Sequence, residues 1–192
     1  MFYAPGGTGS ICEEIRGITR VDKLLYILLQ EEEVWKHLQD ELDFEPYDFG
    51  PYSNKLYDYV ETLKDSGLLI AKNAGVSNVE QDFDALVMEF ETADVSIPKS
   101  DVRVESMVLS EKGRKVGEKL FDVLTPEERD ALVRVKKRFN QIPLKDLLRY
   151  VYTRFPQSAT KSVVRDSILG ESRFGTRPEL TPFIREEEDF RE

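Results

Sequence analysis

The stretch Phe44-Glu45-Pro46-Tyr47-Asp48-Phe49-Gly50-Pro51-Tyr52-Ser53 crowds aromatics, two prolines and a glycine into ten residues. Such a composition is too costly for an ordinary linker and constrains what the chain can fold into. Pro51 fixes its own φ and pushes Gly50 away from the helical region. Ser53 then stands where a helix N-cap belongs, its hydroxyl able to accept from an otherwise unpaired backbone N–H. The segment is predicted to be an extended aromatic arm that turns sharply into a helix. That helix carries Leu56, Tyr59, Val60 and Leu63 on one face, and Gly67 is placed to end it in a left-handed turn.

Upstream, a helix is predicted from about Thr19 to Glu32, with Thr19 as cap and Val21, Leu24, Leu25 and Leu28 at helical spacing. Val34, Trp35, Leu38 and Leu42 suggest a shorter one. Downstream, Leu68-Leu69-Ile70 reads as a strand, Leu86 to Glu91 as another, and Val102, Val104, Ser106 and Val108 alternate as a half-exposed strand should. Leu109-Ser110-Glu111-Lys112-Gly113-Arg114 leads into a helix through Val116, Leu120, Phe121 and Leu124. Thr125-Pro126-Glu127-Glu128 opens the next, which carries Leu132, Val135 and Phe139. Pro143 opens one more with Leu147, Leu148, Val151 and Phe155, and Ser162 to Leu169 adds a final turn. The expected class is α+β, a winged-helix-like domain with an enlarged wing, followed by a C-terminal helical extension.

Lys23-Leu24-Leu25-Tyr26, Tyr47-Asp48-Phe49-Gly50-Pro51-Tyr52-Ser53, Leu56, Leu63 and Gly67-Leu68-Leu69-Ile70 together resemble the Panacea domain family, which includes SocA-like antitoxins and phage-associated proteins. The resemblance covers about residues 18–70, with weaker support over 104–121. Phe49 stands where the family has tyrosine, and the connection over 71–103 is long. The Pro143–Ser162 stretch is similar to the tail of a related branch. On this reading residues 1–17 form a flexible lead-in and 18–124 the Panacea-like domain. Residues 125–169 form a basic helical extension, and 170–192 a disordered acidic tail.

Net charge is −10, but it is unevenly spread: −14 over 1–128, +8 over 129–165 and −4 over 166–192. Polyanions respond to local potential, so the positive segment matters more than the total. Its nucleic-acid candidates are Arg134, Lys136, Lys137, Arg138 and Arg149, with aromatic support from Tyr150 and Tyr152. The other reading of that segment is a set of helices docked on the acidic part of the chain, or presented to a second copy in a homodimer. Direct DNA reading by the helix after Ser53 is disfavoured. It sets Asp58, Glu61 and Asp65 against Asn54, Lys55 and Lys64, while phosphate neutralisation dominates affinity.

Catalytic and metal-binding sets are not legible. His37, the single histidine, is read as a half-buried structural residue, and Cys12 as an inert loop thiol. The glycines near the N-terminus lack the Lys-Ser/Thr pair of a phosphate loop, and the acidic runs read as solvated faces. No catalytic activity and no cofactor are expected. The longest apolar run, Leu24 to Leu29, is far short of the roughly 20 residues of a membrane span. One cysteine and no visible signal segment fit a cytoplasmic protein. The resemblance implies a non-enzymatic antitoxin that neutralises a partner protein, in SocA-like relatives escorting it to a protease. An acidic domain suits a basic toxin, with Tyr47, Phe49, Gly50, Pro51 and Tyr52 as partner-binding candidates. Of these, Tyr47, Phe49 and Tyr52 either brace the helix, the favoured role, or form part of the contact. The alternative is a DNA-binding regulator acting through 129–165.

Overall fold

The computed structural model describes residues 1–73 and 105–170. The predicted strand over Leu86–Glu91, most of the long connection and the acidic tail beyond 170 lie outside them. The chain is α+β and mostly helical, with two small antiparallel sheets among the described residues.

Strand β1 (Ile15–Arg16) leads through Gly17 into helix α1 (Ile18–Glu31). Thr19 does not cap this helix. The N-cap is Gly17, with no side-chain bond, and Thr19 is buried one residue inside. A 3-10 turn (Glu33–Leu38) and the one-turn helix α2 (Gln39–Leu42) follow where a single short helix was expected. Then come β2 (Glu45–Tyr47), β3 (Gly50–Tyr52), α3 (Asn54–Asp65) and β4 (Leu69–Asn73). Ser53 caps α3, its hydroxyl accepting from Leu56 N at 3.2 Å, and Gly67 with φ 69° ends it in the left-handed turn expected of it.

Beyond the undescribed stretch, β5 (Glu105–Leu109) pairs antiparallel with β4 on one side and β1 on the other, giving the order β1-β5-β4. Helix α4 (Glu111–Val123) is capped by Ser110. Helix α5 (Pro126–Phe139) starts with a complete capping box between Thr125 and Glu128 and Pro126 in its first turn. Helix α6 (Leu144–Arg154), a 3-10 turn (Pro156–Ala159) and α7 (Arg165–Gly170) complete the described chain.

Helix α1 is the hub. Val21, Leu24, Ile27 and Leu28 recur at helical spacing and are buried, as are Leu132, Val135 and Phe139 on α5 and Leu147, Leu148 and Val151 on α6. Each such side chain contributes about 1.5–3 kcal/mol when fully buried. α1 packs against both α5 and α6, so the helices beyond residue 124 share the core of the preceding segment. The boundary placed at 124/125 therefore separates elements of a common core.

The flexible lead-in expected over 1–17 is also corrected. Ala4, Cys12 and Ile15 are buried, and Ile15 and Arg16 pair with Met107 and Ser106. Tyr3 sets its ring 5.4 Å from that of Phe121. Turn-forming residues do not make a segment mobile when its backbone groups are satisfied. Here Lys136 Nζ donates to Phe2 O at 3.1 Å and to Ala4 O at 2.9 Å.

Candidate partner-binding face

The aromatic arm is a hairpin. Tyr47 pairs with Gly50, Pro46 with Pro51 and Glu45 with Tyr52, leaving Asp48 and Phe49 as a two-residue loop. Antiparallel pairs alternate between hydrogen-bonded and non-bonded positions, so two prolines can face each other at a position that needs no N–H. Gly50 adopts φ 89°, open to glycine and strained for other residues.

Side chains alternate across a strand, and the hairpin's two faces have different fates. The inward face is anchored on several sides. Lys23 on α1, 2% exposed, donates from Nζ to Pro51 O at 2.9 Å. Tyr152 on α6 lies over Gly50 so closely that a Cβ there would sit 2.6 Å from its Cε1. Val163 N donates to Asp48 O at 3.0 Å. The Ser53 hydroxyl donates to Leu42 O. Phe49, Gly50 and Pro51 are buried in this arrangement. Of the partner-binding candidates, these three are therefore internal braces.

Tyr47 and Tyr52 lie on the outer face with Glu45. Tyr47 is 48% exposed, Tyr52 is half-buried, and their ring centroids are 5.0 Å apart. Tyr57, in the first turns of α3, continues the series with its centroid 4.8 Å from that of Tyr52. Sequence reasoning missed Tyr57. The signal was present in the cap: with Ser53 as N-cap, Tyr57 shares a helix face with Asn54, beside the arm. Tyr59, placed on the apolar face, is instead exposed, its hydroxyl donating to Glu41 at 3.1 Å.

The basic candidates fare differently. Lys136 is 0% exposed, which removes it from any surface. Burial holds its pKa down to about 8, against the opposing influence of Glu13 and Cys12. Arg134 forms a forked pair with Glu32, at 3.1 Å from Nε and 2.6 Å from Nη2. Arg149 donates to Asp146 and to Ile168 O. Arg138 lies over the rings of Phe139 and Tyr150, at 4.9 and 5.3 Å from their centroids. Lys137 is exposed. Glu31 accepts from Tyr150 Oη at 2.5 Å and pairs with Arg154 at 3.8 Å.

The remaining chemical groups are also engaged. The N-terminal glycine loop closes on the protein's own Glu13, whose carboxylate accepts from Thr8 N (2.9 Å), Thr8 Oγ1 (2.7 Å), Asn140 and Gln141. Burial alone would raise its pKa, but the hydrogen bonds from Gln141, Thr8 and Asn140 outweigh it and hold the value down to about 2. His37 is exposed rather than half-buried, stacked beside Trp35 with Nδ1 3.0 Å from Val34 O. Cys12 is buried. Among the described residues no group of three or more His, Cys, Asp or Glu is placed to hold a metal, and no helix is long and apolar enough to cross a membrane.

No protein-family model matches this chain, and no curated protein matches it.

Proposed function

We propose that the chain is a non-enzymatic binding protein of the antitoxin type, which neutralises or escorts a partner protein through the outer face of the β2–β3 hairpin. The observation that carries this reading is the aromatic series Tyr47, Tyr52 and Tyr57, held at the surface by a hairpin whose other face is bonded into the core. Rigid, partly exposed aromatics supply contact area at little entropic cost and are the side chains that dominate protein interfaces.

The Panacea resemblance belongs to this proposal. In its support, the residues that suggested it meet in space, Lys23 of the Lys-Leu-Leu-Tyr run holding Pro51 of the Gly-Pro turn. A winged-helix-like arrangement is part of it too. The order α1, α3, β4, β5 would make α3 the reading helix and the β4–β5 connection the enlarged wing. The alternative, a regulator holding DNA through 129–165, keeps Lys137 and Arg138 as exposed candidates that make no ion pair among the described residues. A low-salt gel shift tests it, with reversal of both charges as the control.

The leading reading is tested by co-expression with the product of the adjoining reading frame. Growth arrest by that product, relieved by the intact chain and not by Tyr47→Asp, is the expected result. A neighbour without toxicity, or rescue indifferent to Tyr47→Asp, counts against it.

A further inference from the structure

We propose that the Tyr47–Tyr52–Tyr57 series captures an arginine side chain carried by the partner. The inference rests on the partner-binding reading above and names its chemistry. The three rings come from β2, β3 and α3 and are tilted against one another by 32° and 53°, so they form a splayed series instead of a closed stack. Tyr47, at the open end, keeps about half of its surface accessible at 48%.

A carboxylate shares the rings' face of the hairpin. Glu45 is opposite Tyr52 in the hairpin and two residues from Tyr47, hence on the same face, and it is exposed. Asp58 follows Tyr57 on α3 and is also exposed. Of the two lysines on that helix, Lys55 is exposed, and Lys64, about two turns beyond Tyr57, is held by Glu61 at 2.9 Å and Glu105 at 3.1 Å.

A guanidinium suits this combination better than an ammonium. Its plane lies flat on a tyrosine ring while its edge N–H groups reach a neighbouring carboxylate in a forked geometry. A nucleobase would also stack on the rings, but its phosphates would be carried against Glu45.

A short fluorescent arginine-rich peptide, its lysine counterpart of equal charge and an oligo-dT strand are titrated against the full chain at one ionic strength. The arginine peptide is expected to bind about fivefold more tightly than the lysine peptide, the effect of one exposed cation–π contact. Tyr47→Leu, which changes no charge at an exposed position, abolishes that preference, and Tyr47→Phe keeps it. Glu45→Gln weakens the arginine peptide more than the lysine one.

Equal affinity for the two peptides, or a preference that survives Tyr47→Leu, overturns the inference. Tighter binding of oligo-dT overturns it as well and assigns the rings to bases. Rescue in the co-expression test without any arginine preference sinks this inference alone. An arginine preference without rescue leaves the capture chemistry standing and removes the antitoxin reading.

Discussion

The hairpin and the basic helices both stand out in the sequence as places to meet a partner, and the structure treats them in opposite ways. The hairpin turns its backbone, prolines and Phe49 inward and leaves tyrosines outside. The helices over 129–165 pair much of their charge within the protein: Lys136 buried on backbone carbonyls, Arg134 and Arg154 at the surface with Glu32 and Glu31, Arg149 with its own helix and α7. The positive excess of that segment is thus partly the complement of the acids at the end of α1. A local charge balance read from sequence reports how much charge is present and is silent on how much remains available.

The comparison breaks first at Lys136. If it is a structural residue, Lys136→Ala should cost about 2–4 kcal/mol, because it opens space and leaves the carbonyls of Phe2 and Ala4 without their donor. A surface cation would lose almost nothing, so the urea midpoint at matched m-value decides. Gly50→Ala should come next, at about 1–3 kcal/mol, since a positive φ and the Tyr152 ring both oppose a Cβ there. Tyr47→Leu on the outer face of the same hairpin should stay within about 0.5 kcal/mol.

Acidity and alkalinity sharpen the same contrast. Lys136 has a folded pKa of about 8, below its ordinary 10.5. The unfolded chain therefore binds more protons between those values, and stability rises with pH across that window. Lys136→Met should flatten the rise. Tyr150 and Tyr152 act oppositely. Burial pushes both up to about 12, Tyr150 with help from Glu31, so the unfolded chain ionises them first and stability falls from pH 10 upward. In acid, Glu13 with its folded pKa of about 2 contributes stability that is complete above its ordinary 4.5 and lost as pH falls toward 2. Denaturation midpoints measured from pH 2 to 11 read all of these. Among the charged groups the smallest effect belongs to Arg134→Ala. Its pair with Glu32 is solvent-screened and should be worth at most about 1 kcal/mol.

Much of the fold was legible because caps and periodicity are local. Ser53, Gly67 and the Thr125–Glu128 box sit where their chemistry demands. The lead-in misled because its order comes from distant partners. Lys136 and Asn140, far along the chain, satisfy groups around Ala4 and Glu13 that local composition leaves open. The site was half legible for a related reason. The arm announced aromatics and a turn, but which faced outward depended on the register Tyr47–Gly50, and that register follows from a glycine at φ 89° and a lysine reaching across from α1.

The most direct test of the account is calorimetric titration of the full chain with its partner, comparing Tyr47→Asp with the double reversal Lys137→Glu/Arg138→Glu at fixed salt. The account predicts a loss of about tenfold or more for Tyr47→Asp, on the scale of an interface hot spot, and a change of less than about threefold for the double reversal. The opposite ranking would contradict it and return the binding surface to the basic helices.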